Sequence, residues 1–322
     1  MRHYLGIDGG GTKTTCAVGD DSATLATAVA GPSNVVRVGE EQARESLHQA
    51  VRQACASAGI TPAQVTHTCI GAAGAARPQV AEIVRRILAE ILPGKIHVTD
   101  DMDIALRAAF EDGSGVLVLS GTGSFAYGRD QHGTVARAGG WGFAVSDEGS
   151  AQWIGRTAIA TVLHAKDACD DPAHLHPEEN FPLFRGIVQA WGIASLDDLI
   201  RTANSTPAPD FSALFPVVAA AADAGDPLAQ QVLTRAGKEL AALGSTVMRR
   251  LFGDPAASDS SVPLAMAGGV FRHAPLVREV FYNQMRRLDP RVSISSQVIE
   301  PVNGALRLAQ SSGGTDTLVR RS

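Results

Sequence analysis

The chain has 322 residues, a formal net charge of -5 at pH 7, 45% hydrophobic residues and 19% charged residues. This length predicts about two domains, and the composition excludes a disordered chain. The acidic balance argues against nucleic acid or an anionic membrane surface as a partner.

We expect neither a leader peptide nor a membrane span. No apolar run of signal-peptide length precedes Gly9, and no stretch reaches the ~18 apolar residues that a span needs. The cysteines are scattered and form no Cys-x-x-Cys pair, which predicts reduced, mostly buried thiols in a cytoplasmic protein. They are Cys16, Cys55, Cys69 and Cys169.

The first part of the chain alternates strands and helices, the pattern of an α/β fold. Residues 4–18 predict a strand, a tight turn and a second strand, because apolar and β-branched residues flank three glycines. Apolar residues at helical spacing then predict two long helices. The further predictions are a strand and loop at 26–36, helices at 40–59, 78–92 and 104–110, and strands at 66–71 and 95–99.

The chain then repeats its opening pattern. Val116–Ser120 is an apolar strand, followed by the turn Gly121-Thr-Gly-Ser124 and a second strand from Phe125. The repeat predicts two related domains with a boundary near residue 115. A glycine-rich loop at 139–150 follows, and 170–216 is expected to carry short helices as surface insertions. The later predictions are helices at 150–163, 226–252, 277–288 and 301–309, strands at 262–266 and 292–298, and a loose tail after Ser311.

The first turn has the chemistry of a phosphate cradle. Gly9–Gly11 lets backbone N–H groups face an anion without a Cβ in the way, Asp8 can face a metal-bound phosphate, and Thr12 offers a hydroxyl. The spacing excludes a dinucleotide loop, whose third glycine would fall on Thr14, and a P-loop, whose lysine would come one place earlier. A plain hairpin is the structural alternative, which the second turn at 121–124 disfavours.

Four motifs occur in order along the chain: Leu5–Thr14, Leu119–Ser124, Gly139–Ser150 and Ala267–Val270. Together they resemble the BadF/BadG/BcrA/BcrD branch of the superfamily that unites sugar kinases, heat-shock chaperone ATPases and actin, and within it the N-acetylglucosamine kinases. The resemblance runs from residue 4 to about 309. It implies two RNase H-like domains of the actin/hexokinase type, with ATP, Mg²⁺ and a sugar in a cleft between them. The implied domains are 1–115 and 116–302, with the last helix, about 303–322, packing back onto the first.

The resemblance also implies which residues bind ATP. The two glycine turns would hold the phosphates, a third glycine pair would pack against adenosine, and Asp8 would orient Mg²⁺ through water. The implied ATP-binding residues are Asp8, Gly10, Gly11, Thr12, Lys13, Gly121, Thr122, Gly123, Gly268 and Gly269.

Transfer of a phosphoryl group to a sugar hydroxyl needs a group that accepts the hydroxyl proton. Asp100, Asp101 and Asp103 follow the strand predicted at 95–99. The family pattern, counted from the pair Ala105-Leu106, selects Asp101 as the base. The structural alternative for all three is a helix N-cap, most of all for Asp103.

Sugar contacts are implied in several loops. A carboxylate such as Asp147 can accept hydrogen bonds from two ring hydroxyls, and Trp141 either contacts the sugar or packs in the core. Phe125 departs from the smaller or polar residue expected near the sugar, which puts the substituent at carbon 2 in question. The implied substrate-binding residues are Asn34, Gly74, Asp101, Ser124, Gly140, Trp141 and Asp147.

The resemblance therefore implies a cytoplasmic, homodimeric, ATP-dependent aminosugar kinase acting on the 6-hydroxyl of N-acetylglucosamine or glucosamine, with carbon 1 as the alternative acceptor.

One alternative is an ATPase activator of an acyl-CoA reductase or dehydratase. Its iron–sulfur cluster needs more thiolates than Cys169 provides in the C-terminal half. The other is a non-catalytic sugar sensor. The zinc-bearing repressor and hexokinase family is disfavoured because its cysteine cluster is missing. The nine histidines form no ligand set, and His174 and His176 are expected to be solvated.

Overall fold

The computed structural model describes residues 2–168, 182–255 and 260–319. Cys169, His174 and His176 lie outside the described residues. The chain divides into two compact units, which we call the first unit (Met1–Gly113 with Ile299–Ser322) and the second unit (Ser114–Val298).

The elements alternate as in an α/β fold. The strands are β1 (His3–Gly9), β2 (Thr14–Gly19), β3 (Thr24–Ala30), β4 (Val65–Ala72), β5 (Lys95–Asp100), β6 (Gly115–Ser120), β7 (Ser124–Arg129), β8 (Val135–Gly139), β9 (Val262–Ala267) and β10 (Val292–Ile299). The helices are α1 (Val35–Ser57), α2 (Pro78–Ala89), α3 (Asp101–Phe110), α4 (Ala151–Asp167), α5 (Pro182–Trp191), α6 (Leu196–Ala203), α7 (Phe215–Asp223), α8 (Pro227–Phe252), α9 (Gly269–His273), α10 (Pro275–Leu288) and α11 (Pro301–Val319).

The two sheets have the same topology. In the first unit the strand order is β3-β2-β1-β4-β5, and in the second it is β10-β9-β6-β7-β8. The first strand of each unit runs antiparallel to the second and parallel to the fourth. Counted along each unit, both orders read third, second, first, fourth, fifth, which is the RNase H-like arrangement. The predicted α/β fold with a repeated supersecondary unit is therefore confirmed.

Strand β1 carries the core of the first unit on both of its faces, because successive side chains point to opposite sides of a sheet. Leu5 and Ile7 join the hydrophobic cluster formed with α1 and α2, while Tyr4 joins the cluster formed with α3 and α11. A Cβ built on Gly6 would lie 2.3 Å from the backbone nitrogen of Leu306. Glycine at this position lets α11 pack directly on the sheet.

Helix α1 begins earlier than its apolar spacing predicts. The side-chain oxygen of Asn34 accepts hydrogen bonds from the backbone N–H groups of Val36 and Arg37, at 3.1 and 3.3 Å, and so caps the helix. Gly39, with φ +82°, interrupts the helix after its first turn. Because only the part after this kink has regular apolar spacing, the predicted start at residue 40 missed the capped turn.

Two other short elements, β8 and α9, were not predicted. The expectation of surface insertions at 170–216 is wrong for its described part, since Leu183, Phe184 and Leu214 are buried in the core of the second unit. The expectation of a loose chain after Ser311 is also wrong, because the backbone of α11 stays helical to Val319.

Cys16, Cys55 and Cys69 are free and buried, and burial raises the pKa of each thiol. The prediction of mostly buried thiols is confirmed for these three cysteines. Across the described ranges, none of the helices combines the length and the apolar character needed to cross a membrane.

Candidate active site

The first glycine turn is closed by its own backbone and joined to the start of α1. The N–H of Gly10 donates to the carbonyl of Lys13 at 3.1 Å. The N–H groups of Ser33 and Asn34 both donate to the carbonyl of Gly10, at 3.0 and 3.1 Å. Thr12 and Lys13 at the tip are exposed to solvent. The capped end of α1 is therefore fixed beside the turn.

The end of β4 lies beside the same turn. The N–H of Ala73 donates to the carbonyl of Gly9 at 3.1 Å. Gly74 has φ +85°, and a Cβ built on it would lie 3.9 Å from Cγ2 of Val36. The structure thus brings Asn34 and Gly74, both predicted to contact a sugar, close to the turn predicted to hold phosphate.

Carboxylates accumulate at the ends of β1 and β5 in the first unit. Burial raises the pKa of Asp8 to about 6; the charge of Glu300 adds to this effect and that of Lys13 opposes it. Burial also raises the pKa of Asp101, and a hydrogen bond to Asp100 and the charges of Asp100 and Asp8 raise it further. This unbalanced negative charge favours a bound cation or proton.

The three aspartates that follow β5 have different partners. Asp100 is the N-cap of α3, and its Oδ1 accepts from the N–H of Met102 at 3.0 Å. Asp103 is exposed and accepts from the hydroxyl of Thr99 at 2.5 Å. The N-cap of α3 is therefore Asp100.

The second glycine turn is built in the same way. The N–H of Gly121 donates to the carbonyl of Gly123 at 2.9 Å, and the N–H of Ala151 donates to the carbonyl of Gly121 at 2.8 Å. Thr122 between them is partly buried. A Cβ built on Gly121 would meet no atom within 4 Å. The turn is thus attached to the start of α4 and leaves open space on one side.

Two serines bind this turn to the loop before α4. The hydroxyl of Ser120 donates to the carbonyl of Gly149, and that of Ser124 to the carbonyl of Glu148, each at 2.8 Å. Both side chains are buried. The Ser124 hydroxyl, predicted to lie near the sugar, is therefore engaged with the backbone.

The side chain of Asp147 stabilises the loop that carries it. It has φ +63° and is buried, and its Oδ1 accepts from the N–H of Gly142 at 3.1 Å. A Cβ built on Gly123 would lie 2.8 Å from Oδ2 of Asp147, so the carboxylate also lies against the second turn. Burial raises the pKa of Asp147, while the Gly142 N–H opposes the rise. A ligand that reached this carboxylate would find one oxygen already accepting a hydrogen bond.

Trp141 does not pack in the core, because 74% of its surface is exposed. The neighbouring Gly140 has φ +71°, and its carbonyl accepts from Nη2 of Arg137 at 2.7 Å. A Cβ on Gly140 would collide with that guanidinium. The indole is thus presented to solvent on a loop whose backbone is held in place by Arg137.

The two glycines after β9 have different surroundings. Gly268 has φ +100°, and a Cβ there would lie 2.2 Å from the carbonyl oxygen of Ser120. A Cβ on Gly269 would meet no atom within 4 Å. Gly268 is therefore required by the protein itself, whereas at Gly269 the described protein leaves room for a ligand.

The first unit fits a magnesium-bound phosphate chain. Carboxylates such as Asp8 and Asp101 supply the hard oxygen atoms that Mg²⁺ prefers. Within the part of the chain that the structure describes, no three His, Cys, Asp or Glu side chains are grouped to hold a metal ion alone. Mg²⁺ usually keeps several waters and is held by one or two carboxylates and by substrate phosphates.

The sequence did not point to Arg37 or Ser33. Ser33 is buried, and its hydroxyl oxygen accepts from Oγ1 of Thr14 at 2.7 Å, linking the α1 start to β2. A Cβ built on Gly11 would lie 3.2 Å from Nη1 of Arg37. The signal that was available is the N-cap spacing, since Arg37 follows Asn34 by one helical turn.

Comparison with known proteins agrees with these features. The profile of the BadF/BadG/BcrA/BcrD ATPase family matches residues 5–309. The N-acetylmuramic acid/N-acetylglucosamine kinase of Clostridium acetobutylicum is 30% identical over 315 residues, covering 97% of this chain and 99% of its own length. The N-acetyl-D-glucosamine kinase of Dictyostelium discoideum is 27% identical, covering 96% and 98%. A solved structure from Chromobacterium violaceum, provisionally assigned as an N-acetylglucosamine kinase, superposes with a TM-score of 0.72 at 26% identity, covering 96% and 99%.

Proposed function

The chain belongs to the BadF/BadG/BcrA/BcrD ATPase family, and on that premise we propose that it is an ATP-dependent kinase of N-acetylglucosamine. In the reaction the 6-hydroxyl oxygen of the sugar forms a bond to the γ-phosphorus of ATP, the bond from that phosphorus to the bridging oxygen of ADP breaks, and the hydroxyl proton passes to the protein. The full-length similarity to two kinases of this substrate supports the proposal.

The observation that carries the mechanism is the environment of Asp101. Its neighbour Asp100 caps α3, and Asp103 accepts a hydrogen bond from Thr99. Burial raises the pKa of Asp101, and the hydrogen bond to Asp100 and the charges of Asp100 and Asp8 raise it further. A carboxylate with a raised pKa is a stronger proton acceptor, and general bases work best when their pKa is near the working pH. We assign Asp101 as the base that takes the 6-hydroxyl proton.

The remaining residues bind and orient the substrates in this proposal. Asp8 would hold Mg²⁺ through water, and the bound ion would neutralise phosphate charge. Asn34, Gly74, Gly140, Trp141, Asp147 and the Ser124 backbone contact the sugar. The residues that contact ATP are Gly10, Gly11, Thr12, Lys13, Gly121, Thr122, Gly123, Gly268 and Gly269. The buried, free thiols support a reducing, cytoplasmic location. The homodimer stays a prediction, which analytical ultracentrifugation can test.

A panel of sugars in a coupled assay of ADP release tests the function. We expect N-acetylglucosamine to stimulate ATP turnover strongly and glucose weakly, with glucosamine and N-acetylmuramic acid showing how much the substituents matter. Mass spectrometry and NMR of the product then distinguish phosphate on oxygen 6 from phosphate on oxygen 1. A protein that releases ADP at the same rate with and without every sugar would not be a sugar kinase.

Asp100→Asn is expected to move the acid limb of the pH profile of kcat/KM to lower pH by about one unit. The base must be deprotonated, so kcat/KM falls as the pH drops through the pKa of Asp101. Removing the Asp100 charge lowers that pKa. Asparagine also caps helices well, so α3 keeps its N-cap.

The matched control is Asp103→Asn, which removes an exposed neighbouring carboxylate that is not among the main causes of the raised pKa of Asp101. Its acid limb should coincide with that of the wild type. A limb that stays in place in Asp100→Asn would contradict the assignment of Asp101 as the titrating base.

A further inference from the structure

Arg37 lies over the first glycine turn and has no carboxylate partner in the described structure. Nη1 and Cδ of Arg37 lie 3.2 and 3.5 Å from the position that a Gly11 Cβ would occupy. Other arginines of the first unit pair with acids, such as Arg44 with Glu40 and Arg85 with Glu82. The guanidinium of Arg37 is exposed and available to an anion.

The backbone fixes this arrangement. The N–H groups of Ser33 and Asn34 donate to the carbonyl of Gly10, so the segment that carries Arg37 is attached to the turn itself. The kink at Gly39, with φ +82°, separates this first helical turn from the rest of α1. Arg37 is therefore positioned by the turn rather than by the body of the helix.

The charge balance of the site calls for a cation at this place. A triphosphate would bring further negative charge next to Asp8 and Asp101, the carboxylates at the ends of β1 and β5. Lys13 and Arg37 are the basic residues of the turn and of the α1 start. Arginine suits this task, because its planar guanidinium can donate two parallel hydrogen bonds to a phosphoryl group.

We propose that the Arg37 guanidinium contacts the phosphoryl group that is transferred, and stabilises its charge in the transition state. The proposal rests on the kinase function above. The moving group must come within reach of Asp101. Asp8 is in register with Gly71, and Gly71 with Thr99, so the turn after β1 and Asp101 after β5 lie at the same edge of the first sheet. A guanidinium over this turn therefore faces the terminal phosphate rather than the part of the nucleotide that leaves as ADP.

The test compares Arg37→Gln and Arg37→Lys with Arg52→Gln, which removes an exposed arginine farther along the same helix. We expect Arg37→Gln to lower kcat with N-acetylglucosamine by roughly 10²-fold, the usual loss when one donor to a developing anion is removed. Arg37→Lys should recover part of that loss, and Arg52→Gln should match the wild type.

Calorimetry with Mg²⁺ supplies a readout that does not depend on turnover. Arg37→Gln should lower the affinity for a non-hydrolysable ATP analogue, while the affinity for ADP should stay within about twofold of the wild-type value. Equal weakening of both nucleotides, or an unchanged kcat, would overturn the proposal. A loss confined to N-acetylmuramic acid would also overturn it and assign Arg37 to the sugar carboxylate. Failure of the wild type to phosphorylate N-acetylglucosamine would instead reject the kinase function.

Discussion

Asp101→Asn is expected to lower kcat by about 10²–10⁴-fold while sugar affinity stays within a few-fold of the wild type. Asparagine keeps the size of the side chain but does not accept the hydroxyl proton. The two measurements are initial rates in the coupled assay and sugar binding by calorimetry. A variant that keeps its turnover would reject Asp101 as the base, and a wild type that binds sugar without turnover would be a sensor.

The same substitution should make the protein more stable at neutral pH. The folded-state pKa of Asp101 is raised above its unfolded value, so its protonated form stabilises the fold below the unfolded pKa, and this stability is lost as the pH rises through the folded pKa. Removing the charge should therefore raise the Tm by a few degrees at pH 8 and leave it unchanged near pH 3. Asp103→Asn, at an exposed position, is the control.

Gly268→Ala is expected to destabilise the second unit by several kcal/mol and to abolish activity. The new Cβ would lie 2.2 Å from the carbonyl oxygen of Ser120, and φ +100° is a conformation that alanine rarely adopts. Since Ser120 ends β6 next to the second glycine turn, the shift would also displace Gly121. Thermal unfolding and urea titration measure the loss.

Gly269→Ala is the neighbouring comparison. Its Cβ would enter space that holds no described atom within 4 Å, so its Tm should stay close to that of the wild type. If adenosine occupies that space, the KM for ATP should rise, with kcat at saturation little changed. A Gly269→Ala enzyme with an unchanged KM for ATP would remove Gly269 from the nucleotide site, and a fully stable Gly268→Ala protein would contradict the close contact at Ser120.

Local patterns in the sequence were sufficient for the regular parts of the fold. The long apolar repeat of α8 and the two strand–turn–strand units depend on neighbours a few residues apart, and both were predicted. The short strand β8 was not, because only Ala138 and Gly139 of its residues are buried and its order comes from pairing with β7. The burial of Leu183 and Phe184 was missed for a related reason. Their segment is rich in aspartate and proline, so its composition predicted a surface position, and tertiary packing buries the two side chains.

The residues of the candidate site could also be predicted from the sequence only in part. The motif register selects Asp101 from three aspartates, which stays a prediction, whereas the capping bond of Asp100 became visible only in the structure. The sequence left Trp141 equally open to core or ligand, because its exposure depends on the positive φ angles of Gly140 and Gly142. Arg37 was missed because its place beside Gly11 depends on the hydrogen bonds of Ser33 and Asn34 to the Gly10 carbonyl, and the N-cap spacing was the one local signal for it.

Helix α11 has a consequence for synthesis on the ribosome. The second unit is continuous in sequence, whereas the first unit is completed by the segment after residue 298. Until that segment is translated, the cluster around Tyr4, Cys69 and Ile104 lacks the α11 side chains that cover it. At a synthesis rate of ~5–20 residues per second, this apolar surface stays exposed on the nascent chain for on the order of ten seconds or more. During that time the uncovered cluster is a binding site for a chaperone.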